Sequence, residues 1–217
     1  MRTARRAAIA LSHAALAMLL ARGQATATPS PIDLAIADAE AARSRPAAIF
    51  AAAGASRVAP PPTDDATTRD LLVARKLVVP VEGIARSALV DTYTDRRGAR
   101  THEAIDIAAP RGTPVVAVDD GRIVKLLKSI PGGLTIYQFD ADERIAYYYA
   151  HLDRYAESVR EGMAVRRGDV IGYVGTTGNA APDAPHLHFA IFVLGPERQW
   201  WKGTALNPYP FLSDTAR

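Results

Sequence analysis

From Val78 onward the chain consists of short apolar runs separated by turn residues, and this spacing constrains the fold more than any other feature. The runs include TPVVAV, GRIVKLL, LTIYQF, RIAYYYAHL and DVIGYVG. Between them stand turn signals such as DDG at 119–121, PGG at 131–133 and RGD at 167–169. Short runs closed by turns at such intervals predict strands joined in hairpins. We therefore expect a mainly β domain over residues 80–212.

Residues 28–79 have a different character. The stretches IDLAIADAEAARSR and TDDATTRDLLVARK have helix-like spacing, and the proline-rich break APPPTDD separates them. We predict a helical or partly disordered N-terminal region that ends in a linker. Such a region can act as a spacer or can dock on the domain and restrain its activity. The APPP run favours the spacer, because it favours an extended chain.

Residues 1–27 have the three parts of an export signal. MRTARR supplies positive charge, Ala7–Ala21 is rich in alanine and leucine, and Ala25-Thr26-Ala27 is a small-x-small cleavage site. The alternative is an uncleaved N-terminal anchor, but the apolar run is shorter than the ~20 residues that a membrane span needs. We expect an exported protein of the periplasm or cell envelope, with a membrane contact only through an uncleaved signal.

Charge and cysteine content narrow the choice of partners and cofactors. The whole chain has a formal charge of +3, but residues 1–27 hold four arginines and no acidic residue. Without those arginines the chain has 22 Lys and Arg against 23 Asp and Glu, so we expect no nucleic-acid partner. The chain has no cysteine. A metal site would therefore use histidine and carboxylate ligands.

The segment HLHFAIF, from His186 to Phe192, places two histidines on one face of a strand. Successive side chains of a strand alternate between its faces, so His186 and His188 share a face with Ala190 and Phe192. The opposite face is wholly apolar. Both imidazoles can therefore reach one ion from the same side of a sheet.

Two further segments carry histidine in the same way. A strand through THEAIDIAA places His102, Ala104 and Asp106 on one face, and a strand through RIAYYYAHL places His151 with Tyr149. The four histidines and the aspartate exceed the three protein ligands of a catalytic zinc, which leaves two histidines for proton transfer. The pattern predicts metal-assisted hydrolysis.

Residues from about 80 to 212 resemble the lysostaphin-type zinc metallopeptidases, the LytM-domain family that cuts peptide bonds in bacterial peptidoglycan. The resemblance runs in order through HEAIDIAAPRGTPVVAVDDGRIV, YYYAHLDRY, VRRGDVIGYVGTTGNAAPDAPHLHFAIF and NPYPFL. It implies an antiparallel β sandwich or barrel-like hybrid, the duplicated hybrid motif of that family.

The resemblance also implies roles for individual residues. His102, Asp106 and His188 would hold one Zn²⁺ per chain, and His151 and His186 would act on the attacking water. Which of those two is the principal base stays open. The expected protein is an exported, monomeric zinc endopeptidase whose substrates are peptidoglycan peptides. The alternative is a non-catalytic LytM-like regulator of a separate cell-wall hydrolase, but such members typically lack ligand residues, and this chain has them all.

Two features depart from the family pattern. Ala104 stands where glycine is usual, so one more methyl group must fit near the metal. The segment SALVDTYTDRRGART lacks the glycine-rich start of many members, so the groove can have a different shape. Both departures concern substrate preference, and the sequence leaves open which peptidoglycan bond is cut.

Overall fold

The computed structural model describes residues 65–214. The predicted export signal at residues 1–27 and most of the predicted N-terminal region at 28–79 lie outside these residues. Within 65–214, no helix is long and apolar enough to cross a membrane.

The described chain contains two helices, one 3-10 turn and eleven strands. In chain order these are α1 (Asp65–Arg75), the 3-10 turn (Arg86–Ala88), β1 (Arg96–Arg97), β2 (Arg100–Thr101), β3 (Ile105–Ala108), β4 (Pro114–Val116), β5 (Gly121–Ser129), β6 (Gly133–Asp140), β7 (Ile145–Tyr155), β8 (Ala164–Val165), β9 (Val170–Val174), β10 (His186–Leu194), β11 (Gly203–Leu206) and α2 (Tyr209–Leu212). The predicted turn signals lie between these strands or end at the first residue of a strand. At one of them Gly168 has a φ of +92°, which glycine adopts without steric cost.

Nine strands form one antiparallel sheet, in the order β11-β10-β7-β6-β5-β8, with β3, β4 and β9 attached beside this path. Strand β10 is flanked by β7 along one edge and by β3 and then β11 along the other. Strands β1 and β2 make a separate hairpin. The predicted mainly antiparallel β fold is therefore confirmed.

The two faces of the sheet are packed unequally. Leu187, Phe189 and Ile191 of β10 are fully buried in the main core, as the alternation in HLHFAIF predicts. Each such side chain contributes about 1.5–3 kcal/mol when it leaves water. The opposite face carries a smaller cluster, which consists of Ala104, Tyr137, Tyr148, Ala150 and Ala190. The histidines of β10 lie on that second face.

Helix α1 lies within the segment TDDATTRDLLVARK, and it packs on the β domain. Leu72 of the helix and Leu77 just after it are buried in the main core. Arg75 donates to Asp119 at 3.0 Å and to Asp140 at 2.7 Å, and both carboxylates are buried. Residues 65–79 thus contact the core directly, and the domain boundary at residue 80 stays a prediction.

Candidate metal centre and active site

Strand β10 brings His188 beside Asp106 through the pairing of the sheet. His188 is the antiparallel partner of Asp106 on β3 and of Ala150 on β7. Directly opposite residues in an antiparallel pair point to the same face, so the imidazole and the carboxylate project together. Nδ1 of His188 lies 3.2 Å from Oδ1 of Asp106.

His102 reaches the same point from outside the strand, and the predicted strand through THEAIDIAA is wrong for residues 102–104 but present over Ile105–Ala108. Strand β3 begins only at Ile105, and Glu103 has a φ of +56°, in the left-handed region. The backbone N–H groups of His102 and Glu103 donate instead to carbonyls of Asp95 and Tyr93 in the preceding loop. The turn at Glu103 carries His102 back over the strand, to the carboxylate four residues later.

Three ligand atoms converge at this centre: Nε2 of His102, Oδ1 of Asp106 and Nδ1 of His188. The two nitrogens are 3.0 Å apart, and Nε2 of His102 lies 3.1 Å from Oδ1. Two histidine nitrogens and one carboxylate oxygen that meet in this way form a group that could hold a metal ion.

Thr92 fixes two of these ligands at once. Its carbonyl oxygen accepts a hydrogen bond from Nδ1 of His102 at 3.0 Å, which leaves the lone pair of Nε2 facing the centre. Its hydroxyl oxygen accepts from the backbone N–H of Asp106 at 3.1 Å. Partners of this kind set the orientation of metal-ligating side chains.

The electrostatics of the centre favour a charged carboxylate and a neutral imidazole. Burial alone would raise the pKa of Asp106, but the adjacent imidazoles of His102 and His188 hold it well below its usual range. Burial lowers the pKa of His188, although the Asp106 carboxylate opposes this change. The deprotonated forms are the ones that bind a cation.

His151 lies on the opposite face of β7 from the one that strict alternation predicts. The sequence placed it with Tyr149, but Tyr149 and Leu152 both point into the main core. The pairing of β6 with β7 shifts between Ile136 and Leu134, and His151 itself has a φ of +60°. A β-bulge with one extra residue thus turns the imidazole toward the other histidines.

The bulge brings His151 next to the two histidines of β10. Its ring centroid lies 5.0 Å from that of His186 and 5.6 Å from that of His188. A backbone strained in this way persists only when its surroundings hold it, and such residues concentrate at functional sites. All five residues selected from the sequence therefore lie around one point.

Thr177 holds the His151 ring in place. Nδ1 of His151 donates to the Thr177 carbonyl at 2.8 Å, so Nε2 is the nitrogen left without a proton. The Thr177 hydroxyl donates to the Leu152 carbonyl and accepts from the Leu134 N–H. Burial lowers the pKa of His151 to about 4, against a smaller opposing effect of the Thr177 bond. The ring is therefore neutral near pH 7.

His186 is held in a similar way at the more open side of the centre. Its Nδ1 donates to the carbonyl of Ala184 at 2.8 Å, and its Nε2 lies 3.9 Å from Oδ1 of Asp106. His151 and His186 thus each present Nε2 beside the three ligand atoms.

Ala104 fits beneath the centre without displacing a ligand. It is 1% exposed and packs with Tyr137, Tyr148, Ala150 and Ala190. The rings of Tyr148 and His188 meet edge to face with centroids 6.0 Å apart. The methyl group that departs from the family pattern therefore belongs to an apolar floor on which the His188 ring rests.

Sequence comparison places this site within a known family. Residues 100–208, half of the chain, match Peptidase family M23. The chain belongs to peptidase family M23. The matched range contains all five residues of the centre, so the family match and the geometry concern the same part of the molecule.

Two curated relatives illustrate the M23 match. The chain is 33% identical over 129 residues to the L-Ala--D-Glu endopeptidase of Bacillus subtilis (strain 168), an alignment that covers 56% of this chain and 38% of the relative. It is 36% identical over 112 residues to lysostaphin of Staphylococcus staphylolyticus, with coverage of 51% and 22%. The chain thus matches less than half the length of each relative.

A solved structure shares the fold. The crystal structure of a candidate glycyl-glycine endopeptidase lytM from Ruminococcus gnavus ATCC 29149 has a TM-score of 0.51 and 29% sequence identity to this chain. The superposition covers 65% of this chain and 60% of that one. This similarity agrees with the antiparallel β architecture described above.

Three residues that contact the centre were not selected from the sequence: Thr92, Thr177 and Arg97. Thr92 and Thr177 hold the imidazoles through backbone carbonyls, which any residue type supplies, so those two contacts leave no signal in the sequence. Nη2 of Arg97 donates to Oδ2 of Asp106 at 2.7 Å from a hairpin that is nine residues away in the chain. The run of arginines in DRRGAR is a sequence signal, but only the fold shows what it faces.

Proposed function

We propose that this chain is an exported zinc endopeptidase that hydrolyses peptide bonds of peptidoglycan. The observation that carries the proposal is the convergence of Nε2 of His102, Oδ1 of Asp106 and Nδ1 of His188, with His151 and His186 beside them. This is a three-ligand set with neighbouring proton acceptors, the arrangement of a catalytic rather than a purely structural zinc site.

The donor chemistry of the centre suits zinc. Histidine nitrogen and carboxylate oxygen are ordinary zinc ligands, and the Thr92 carbonyl directs the free nitrogen of His102 into the group. His102, Asp106 and His188 would therefore hold the ion. When bound, zinc lowers the pKa of water to about 7 and polarises a carbonyl group.

His151 and His186 supply the proton transfers of the reaction. A neutral Nε2 accepts a proton as the water oxygen bonds to the carbonyl carbon, and a protonated imidazole returns it to the leaving amine nitrogen as the C–N bond breaks. Burial keeps His151 neutral near pH 7, and the bond to Thr177 leaves its Nε2 as the acceptor. His186, on the more open side, presents a second Nε2; once that nitrogen has taken up a proton, it would donate to the oxygen that gains negative charge.

The names of the relatives support peptidoglycan peptides as the substrate class. One is an L-Ala--D-Glu endopeptidase and the other is lysostaphin, and the alignments cover 56% and 51% of this chain. Cleavage in the periplasm or cell envelope would agree with the export signal at residues 1–27. A mature N-terminus near Thr28, found by N-terminal sequencing of the exported protein, would support that signal, whereas a retained Met1 would reject cleavage.

The decisive experiment uses purified cell-wall sacculi and the full chain after removal of its signal. We expect new amino termini with zinc, none after chelation, and recovery when zinc is restored. Asp106→Asn should abolish the product, and the matched control Asp70→Asn, on the exposed face of α1, should retain it. If zinc-loaded protein releases no amino termini, the proposal is overturned.

A further inference from the structure

The two oxygens of Asp106 have different partners. Oδ1 faces His102, His188 and, at a longer distance, His186. Oδ2 points away from the histidines and accepts from Nη2 of Arg97 at 2.7 Å. Arg97 thus stands at the edge of the centre, and its side chain is 52% exposed.

Arg97 lies on the β1–β2 hairpin directly opposite a second arginine. The hairpin pairs Arg97 with Arg100 and Arg96 with Thr101. Opposite residues share a face, so Arg100 lies on the face of the hairpin from which Arg97 reaches Asp106. Arg96 precedes Arg97 in the strand and lies on the other face.

Two like charges directly opposite each other destabilise a hairpin, and little in the described chain offsets this pair. Within residues 65–214, Arg100 has no hydrogen-bond or ion-pair partner, and Arg97 has only Asp106. Nε and Nη1 of Arg97 are left to donate to another acceptor. A second carboxylate between the two guanidinium groups would satisfy these donors and relieve the repulsion.

We propose that Arg97 and Arg100 form a carboxylate subsite at the edge of the metal centre, which selects peptides with a free carboxylate next to the scissile bond. The inference rests on the proposed function. Arg97 holds Oδ2 of Asp106 with one nitrogen and offers its other donors to the substrate. Arg100 adds a second planar donor group on the same face. An uncharged glycyl bridge leaves Arg100 without an anion and the remaining donors of Arg97 without an acceptor, and it is the poorer substrate.

Four synthetic peptides with one sequence test this selection. Each carries a glutamate next to the scissile bond as the acid or as the amide, and each has a free or an amidated C-terminus. These arms separate an internal carboxylate from a terminal one. We expect the zinc-loaded enzyme to prefer one acid form over its amide by about 10- to 100-fold in kcat/KM, the range for hydrogen bonds to a charged group.

Two variants assign the preference to one face of the hairpin. Arg100→Gln should reduce the acid-to-amide ratio to within about threefold, since one of the two charged donors is lost. Arg96→Gln, on the opposite face, should keep the wild-type ratio. Both should bind zinc as the wild type does, which a metal titration can verify. Equal rates on acid and amide in the wild type, or an unchanged ratio in Arg100→Gln, would overturn the subsite and leave the proposed function standing.

A binding measurement separates this inference from the enzymatic one. If zinc-loaded protein cleaves none of the peptides, the proposed function is in error for this substrate class. Calorimetry of the same peptides with the zinc-loaded full chain then judges the subsite directly. Binding that is at least tenfold tighter for an acid than for its amide, and that is lost in Arg100→Gln, supports the subsite. Equal binding overturns it.

Discussion

Replacing Arg75 with methionine should strongly destabilise the domain. Arg75 is the cation that faces the carboxylates of Asp119 and Asp140, which are 5% and 1% exposed as residues. Removing one partner of a buried ion pair costs about 3–5 kcal/mol, because the other charge stays buried without compensation. Methionine keeps most of the volume and apolar stem, so the change isolates the charge.

The contacts that remain place the effect at the lower end of that range. Oδ1 of Asp140 still accepts from two backbone N–H groups, and Oδ2 of Asp119 still accepts from the Tyr147 hydroxyl. Nε of Arg75 is itself buried without a partner within the described chain, and methionine removes that cost. We therefore expect a loss of about 3 kcal/mol, or a Tm lower by about 6–12 °C for a chain of this size.

Thermal unfolding followed by circular dichroism, with urea titration for the free energy, measures this loss. The matched control is Arg122→Met, since Arg122 pairs with Glu143 at the surface and Glu143 keeps a second arginine, Arg198. An exposed pair contributes about 0–1 kcal/mol, so the control should stay near the wild type. If Arg75→Met unfolds within about 2 °C of the control, the buried pair does not anchor α1 and the argument is refuted.

Three further changes test how the side chains of the centre are held. Burial lowers the pKa of His151 to about 4 in the folded chain, whereas an unfolded histidine has a pKa of about 6.5. As the pH falls, His151 is therefore protonated first in the unfolded chain. The stability of the metal-free protein should fall as the pH drops from about 6.5 to 4. His151→Gln should flatten the profile measured by thermal shift, and an equal slope in both proteins would contradict this. Thr177→Val removes the hydroxyl that bonds the Leu134 N–H and the Leu152 carbonyl. We expect kcat to fall more than KM changes, and the free energy of unfolding to fall by about 1–3 kcal/mol. Thr177→Ser keeps a hydroxyl and should restore both. Failure of rescue by serine would reject a role for the hydroxyl. Gly178→Ala places a methyl group 2.3 Å from the backbone nitrogen of Gly133, at a φ of +80°. Urea unfolding should therefore show a clear loss of stability. An unfolding midpoint equal to that of the wild type would contradict the tight packing of this loop.

The sequence predicted features that depend on regular periodicity. The alternation in HLHFAIF placed His186 and His188 on one face and Phe189 in the core, and the structure agrees. The turn signals gave the hairpins and hence the mainly β architecture. In these segments local pattern and tertiary packing favour the same arrangement.

The sequence failed where backbone irregularity sets the geometry. His151 was assigned to the face of Tyr149, but the bulge at His151 reverses it. His102 was assigned to a strand that begins only after Glu103. Both failures involve a non-glycine residue with positive φ, which alternation cannot anticipate. The resemblance to the metallopeptidases still selected both histidines, because it depends on residue identity and order.

The supports of the centre were missed for a different reason. Thr92 and Thr177 hold imidazoles through backbone carbonyls, and Arg97 reaches Asp106 through a hairpin. Such contacts depend on which loops the fold brings together. One example is the loop at 91–95, whose carbonyls accept from the backbone N–H groups of residues 102 and 103.

The central claim is that one zinc ion binds between His102, Asp106 and His188. The most direct measurement is a crystal structure of the zinc-loaded chain with anomalous data at the zinc absorption edge. We predict one strong peak about 2.0–2.2 Å from Nε2 of His102, Oδ1 of Asp106 and Nδ1 of His188. A peak at other residues, or zinc-loaded crystals with no peak among these three atoms, would contradict the account.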